Sequence, residues 1–147
     1  MARRRFLSQL CGLPFLALGL KAEDRKKTLK IMMRNSWGTD DPTRASFVFA
    51  HALALSDAGH EVQVYLTADA TYLMRKATSD AVIAIGWGSL SELREKIVAK
   101  NIPVFSCGAC SRARGITEGD LATWGAKFGN PTIFVSLVEW ADRVISE

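Results

Sequence analysis

Residues 29–67 alternate in a way that few arrangements satisfy. Leu29-Lys-Ile-Met-Met-Arg34 is an apolar-rich run of strand length, and a polar loop from Asn35 to Asp41 follows it. Asp41 then offers a helix N-cap, and Pro42 suits the first helical position, where its missing N–H costs nothing. Ala45, Val48, Phe49, Ala52, Leu53 and Leu55 recur at helical spacing, and Gly59 ends the helix. Glu61-Val-Gln-Val-Tyr-Leu-Thr67 alternates with period two, as a strand does. A strand, a helix and a strand in so short a stretch predict a right-handed βαβ unit with parallel strands.

The rest of the chain extends that pattern. Tyr72–Ala77 reads as a short helix, and Ala81–Ile85 is a short apolar run compatible with a strand or a helix end. After Gly86-Trp-Gly88, Ser89 or Ser91 caps a helix reaching Lys100, with Leu90, Leu93, Ile97 and Val98 on one face. Ile102–Ser106 is a third strand, and Pro103 places that end near a sheet edge or at the strand start. Beyond Gly115 the pattern predicts a short strand near Ala126–Phe128, a helix from Pro131 to about Ala141, and a final short strand at Arg143–Ser146. The expected fold is therefore a single α/β domain over residues 23–147. It has three layers, a mainly parallel sheet of about five strands with helices on both faces.

Residues 1–22 are set apart as an export signal or membrane tether. Arg3, Arg4 and Arg5 precede an apolar run from Phe6 to Leu20, and Arg3-Arg4-Arg5-Phe6-Leu7 has the layout of a twin-arginine motif. About fifteen apolar positions fall short of the roughly 20 that a membrane span needs. No clean Ala-x-Ala site is present, because Ala17-Leu-Gly19 and Leu20-Lys-Ala22 are both imperfect, so an uncleaved tether stays open as the alternative. The expected location is the bacterial periplasm. The leader also accounts for the net charge of +4: residues 23–147 carry 15 basic and 15 acidic side chains, which leaves no footprint for a nucleic acid.

Cys11 falls in the leader, so the domain keeps two cysteines, in Cys107-Gly-Ala-Cys110. A bridge closing so small a loop constrains little of the unfolded chain, so a structural disulfide explains the pair poorly. Cys107 stands where a strand gives way to a helical turn, Ala109–Ala113, and the carboxyl ends of strands are where open α/β sheets gather functional groups. Backbone N–H groups there favour a thiolate, and Arg112 and Arg114 would hold it if they point inward. Such a thiolate is a nucleophile toward sulfane sulfur or a disulfide. The bland alternative is a pair of cysteines packed as small hydrophobes, with both arginines solvated.

Other chemistries find less support. One Cys-x-x-Cys pair supplies half a zinc site, and His51 and His60 lie outside zinc-finger spacing. No Gly-x-Gly-x-x-Gly follows the first strand, and neither a metal nor a cofactor is expected. Asp40, Asp41 and Arg44 are candidates for a pocket, although capping accounts for Asp41. Trp37 and Trp87 have a better claim to a pocket wall than Trp124 and Trp140, which read as core or interface residues.

Three segments together resemble the DsrE/DsrF-like sulfur-relay family over residues 29–146. They are Ala52-Leu-Ala-Leu-Ser-Asp-Ala-Gly-His-Glu-Val62, Pro103-Val-Phe-Ser-Cys-Gly-Ala-Cys-Ser-Arg-Ala-Arg-Gly-Ile116 and Trp140-Ala-Asp-Arg-Val-Ile-Ser146. The middle one is the most specific, a strand, a cysteine and an Arg-Gly pair closing it. In that register the family's sulfur-accepting cysteine falls on Cys107, and Cys110 is an addition found in only some members. The resemblance implies a parallel α/β fold, homo-oligomers such as trimers or hexamers, and a cysteine persulfide exchanged with donor and acceptor proteins or small polysulfides. An exported member would have different partners from its cytoplasmic relatives. Two other functions remain open: a dithiol–disulfide oxidoreductase using Cys107 and Cys110, and a non-catalytic subunit of a sulfur-handling complex.

Overall fold

The computed structural model describes residues 27–147; the expected leader, with Cys11, lies outside the described residues. Five strands form one parallel sheet in the order β4-β3-β2-β1-β5. They are β1 (Lys30–Asn35), β2 (Glu61–Leu66), β3 (Val104–Cys107), β4 (Lys127–Gly129) and β5 (Arg143–Ser146). Helix α1 (Pro42–Asp57) joins the first two strands. Its start is the one the sequence predicts, with the Asp41 side chain accepting from Arg44 N–H at 3.0 Å, and Gly59 leaves its far end at a φ of 87°.

From β1 the chain steps outward through β2 and β3 to β4, then crosses back to lay β5 on the other side of β1. Right-handed crossovers made in opposite directions put their helices on opposite faces. The buried side chains divide accordingly. On one face Ile31, Met33, Val64, Leu66 and Val104 pack under α1 and α3 (Leu90–Ala99), with Phe49 against Trp124 at 4.6 Å between ring centres. On the other, Met32, Tyr65, Phe105 and Cys107 pack against Ile133, Phe134 and Leu137 of α6 (Pro131–Trp140). Three layers result, and Cys107 belongs to the thinner side. Among the described residues no helix is long and apolar enough to cross a membrane.

The stretch between β2 and α3 departs from expectation. A 3-10 helix (Ala68–Met74) and then α2 (Lys76–Ala81) replace the single helix expected at Tyr72–Ala77, broken where Arg75 turns extended. Ala81–Ile85 is not a sheet strand. Val82 ends α2, Ile83 makes an isolated antiparallel bridge to Ser89, and Ile85 is exposed. Ser89 does cap α3, accepting from Glu92 N–H at 3.3 Å, but Val98 lies off its buried face, 42% exposed. Pro103 stands at the strand start, the second of the two positions expected, on a strand that is interior and not an edge. Its missing N–H falls before the ladder begins, while its carbonyl accepts from Val64 N–H at 2.8 Å. The short α4 (Gly108–Ala113) and α5 (Glu118–Ala122) lead to β4.

Candidate functional site

Strand β3 ends on Cys107, which is also the N-cap of α4. The Cys107 Sγ accepts from the Cys110 backbone N–H at 3.5 Å, so the sulfur sits over the first turn. Several contacts fix that turn. The buried hydroxyls of Ser106 and Ser111 meet at 2.8 Å and tie the strand to the helix. A Cβ at Gly108 would lie 2.9 Å from the Gly129 carbonyl oxygen, so glycine there lets α4 start close against β4. At the other end, the Arg75 guanidinium donates to the carbonyls of Arg114 and Gly115 at 3.0 and 2.9 Å.

The two thiols are both free and half-buried, yet their surroundings push them apart. Burial alone would raise the Cys107 pKa. The Cys110 side chain, the backbone N–H groups of Cys110 and Ala109, and the Arg112 charge outweigh it and hold the pKa below the ordinary thiol value. Cys110 moves the other way: burial raises its pKa, and so does its neighbour's sulfur, against opposition from Ala68 and Arg114. The first proton lost from the pair leaves its charge on Cys107.

The two arginines expected to share the thiolate are separated. Arg112 lines the cavity over Cys107 and adds its positive charge there. Arg114 turns toward the 3-10 helix, where it pairs with Asp69 at 2.8 and 3.0 Å and donates to the Cys110 carbonyl at 3.2 Å. Its charge is largely spent on Asp69, and what remains acts on Cys110 rather than Cys107.

A cavity of about 560 Å³ opens over Cys107. The sequence did not point to most of its wall. Tyr65 comes from β2, Gly129 and Asn130 from the end of β4, Pro131 and Phe134 from α6, and Arg34 from β1. Tyr65 is only 4% exposed and meets Phe134 edge-on at 5.2 Å. Burial raises its pKa, and so does the negative charge of the neighbouring cysteines, so its hydroxyl keeps its proton beside Cys107. The signal for Tyr65 was available in the alternation of β2, which aims Gln63 and Tyr65 at one face; which face held the cysteine was not.

Trp37, Trp87, Asp40, Asp41 and Arg44 do not line this cavity. Trp37 lies under the Arg44 guanidinium at 4.3 Å, and Trp87 packs by Phe47 and His51 of α1. Trp124 is core, as expected. His51 bonds Glu147 at 2.8 Å and His60 accepts from Leu29 N–H at 3.2 Å, both away from the cysteines. Among the described residues no three side chains of metal-ligating type converge.

Comparison with known proteins agrees with this fold. The model of the DsrE/DsrF-like family matches residues 29–146. An uncharacterized protein of Methanopyrus kandleri is 29% identical over 102 residues, covering 69% of this chain and 80% of its own length. One from Methanocaldococcus jannaschii is 27% identical over 103 residues, covering 70% and 86%. Among solved structures, the ychN protein of E. coli superposes with a TM-score of 0.67 at 19% identity, over 82% of this chain and all of that one. A protein of unknown function from Methanobacterium thermoautotrophicum gives 0.57 at 13% identity, over 82% and 100%. Both structures carry the same α/β fold.

Proposed function

The chain belongs to the DsrE/DsrF-like family, and from that premise we propose that it relays sulfur, taking up a sulfane sulfur as a persulfide on Cys107 and passing it on. The observation that carries this reading is the placement of Cys107. Its sulfur ends an interior strand, is met by a backbone N–H at 3.5 Å, and opens on a cavity that the Arg112 guanidinium also lines. In uptake, the Cys107 thiolate attacks the outer sulfur of a donor persulfide, and the donor thiolate leaves. In delivery, an acceptor thiolate attacks the outer sulfur of the Cys107 persulfide and restores the thiolate.

Cys110 adds a branch. Its thiolate can attack the inner sulfur of the Cys107 persulfide, which forms a Cys107–Cys110 disulfide and expels hydrosulfide. Its raised pKa favours the protonated thiol and slows that branch, which should quicken as pH rises. The same pair supports the second reading, a dithiol–disulfide oxidoreductase, because its members share one helical turn. The proposal extends to an exported protein, on the layout of residues 1–22, and to a homo-oligomer with sulfur donor and acceptor partners, on the family resemblance.

Cyanide tests the first reading, since it converts sulfane sulfur to thiocyanate. Cys110→Ser protein exposed to inorganic polysulfide and then desalted should yield thiocyanate, and Cys107→Ser should yield none above background. Equal yields from both proteins would refute the proposal. A reversible disulfide with turnover on protein disulfides, and no thiocyanate, would favour the oxidoreductase.

A further inference from the structure

We infer that the cavity over Cys107 binds a small organic persulfide that carries a carboxylate, and that this molecule is the sulfur donor. The inference rests on the persulfide reading above and adds the class of donor.

The cavity's size and walls argue first. At about 560 Å³ it falls in the range of small-molecule sites, and an inorganic chain of a few sulfurs would leave most of it empty. Its sides are largely apolar, made by the rings of Tyr65 and Phe134 and by Pro131, which suits a hydrocarbon body.

The charges argue second. Arg34 and Arg112 both line this apolar chamber, and among the described residues neither makes an ion pair. Arg112 is answered by the Cys107 thiolate. Arg34 is left over: among the described residues its side chain's hydrogen bond is to the Ser146 hydroxyl, at 3.5 Å. A guanidinium with no anion, at the edge of an apolar chamber, fits a carboxylate in its planar fork. The Asn130 side chain also lines the cavity, its oxygen capping α6 at 2.8 Å.

A third observation points to the sulfur end. Tyr65 is 4% exposed, lines the same cavity as Cys107 and packs in the same cluster, and the negative charge of that sulfur helps to keep the proton on its hydroxyl. A phenol beside the reacting atom can donate to a sulfur that carries negative charge. With the carboxylate on Arg34 and the body against the apolar wall of Tyr65, Phe134 and Pro131, the donor's persulfide lies toward Cys107. The step conserves electrons. The Cys107 thiolate attacks the outer sulfur of R–S–SH, the new S–S bond forms as the old one breaks, and R–S⁻ departs to take a proton from water. Cys107–S–SH remains.

Cys110→Ser protein keeps the captured sulfur and serves as the parent for the test. It is loaded separately with the freshly made persulfide of 2-sulfanyl-3-phenylpropanoate, with that of its methyl ester, and with inorganic tetrasulfide, and intact mass is read against time. At subsaturating donor the acid should load at least about 10-fold faster than the ester, the gain of one charge-assisted contact. In Arg34→Gln the acid-to-ester ratio should fall toward one; using the ratio cancels any change in Cys107 reactivity. Equal rates for acid and ester, with normal loading by tetrasulfide, would overturn the donor class and leave Cys107 as a sulfur acceptor. No loading by any of the three would overturn the persulfide reading and this inference together. A second measurement covers a variant that does not fold. The unreactive S-methyl thioether of the acid should protect Cys107 of the wild-type protein from iodoacetamide where its ester does not, and equal protection would count against the carboxylate site.

Discussion

Gly129→Ala places the tightest test on the geometry around Cys107. Gly129 pairs with Cys107 across β3 and β4, and a Cβ built on it would lie 2.6 Å from Cε2 of Tyr65, 3.0 Å from its hydroxyl oxygen and 3.1 Å from Cζ. Carbon atoms in contact sit about 3.5–4.0 Å apart, so the ring must yield by roughly 1 Å. Phe134 backs it edge-on, and the open direction is the cavity itself. Overpacking of this kind costs about 1–3 kcal/mol, or roughly 3–10 °C in Tm for a chain of this size. To the extent that the ring escapes into the cavity, the stability loss shrinks and access to Cys107 shrinks with it. Thermal unfolding and the rate of Cys107 alkylation by a bulky maleimide therefore form a pair of readouts, at least one of which must move. The double-mutant cycle with Tyr65→Leu assigns the cause. All three nearest atoms belong to Tyr65, so in the Leu background Gly129→Ala should be neutral or slightly stabilising, because alanine loses less entropy in a strand than glycine. The same loss in both backgrounds, or no change in either readout, refutes the packing described here.

Further expectations concern the thiols, the core and one cap. Alkylation of Cys107 should rise with pH earlier than an ordinary thiol's and that of Cys110 later, and Arg112→Gln should move the Cys107 profile to higher pH. Mass-resolved labelling at each cysteine would show it, and a reversed order would refute the asymmetry. Trp124→Ala should cost about 3–5 kcal/mol in denaturant unfolding. Trp124→Phe should cost much less, because it keeps a ring against Phe49 and removes a buried indole N–H that has no partner among the described residues. Asp120 holds its proton less tightly than an ordinary carboxyl because the Thr117 backbone N–H donates to it in the capping box of α5. A depressed pKa stabilises the fold above the ordinary value of 3.8 and loses that contribution as pH falls through the folded value. The advantage of wild type over Asp120→Asn should therefore be flat near neutrality and fade below pH 3.8; an advantage that grows on acidification would contradict it.

Most of the frame was legible because its signals are local. Asp41 and Pro42 start α1, Gly59 ends it, and the alternation of residues 61–66 makes β2. Asn130 and Pro131 likewise start α6, and the step from β3 into Cys107 was readable to within a residue. The segment from Ala68 to Gly88 was not. A 3-10 coil has no 3.6-residue repeat, Ala68 begins it at a φ of 48°, and apolar Ile83 and Ile85 are exposed instead of buried. Arg112 and Arg114 looked equivalent because two residues on a short helix differ only in direction, and the distant Asp69 decides that direction. Tyr65, Phe134 and Arg34 belong to the site through strand order and register, which place residues about 30 to 100 positions apart at one sheet end; no local pattern encodes that.

The central claim is that Cys107 accepts the sulfur and Cys110 governs how long it stays. Intact mass after a short exposure to polysulfide, on wild type, Cys107→Ser and Cys110→Ser, tests it most directly. Cys110→Ser should keep added sulfur, wild type should gain it and then lose it as the disulfide forms, and Cys107→Ser should gain none. Sulfur retained on Cys107→Ser as readily as on Cys110→Ser would contradict the account.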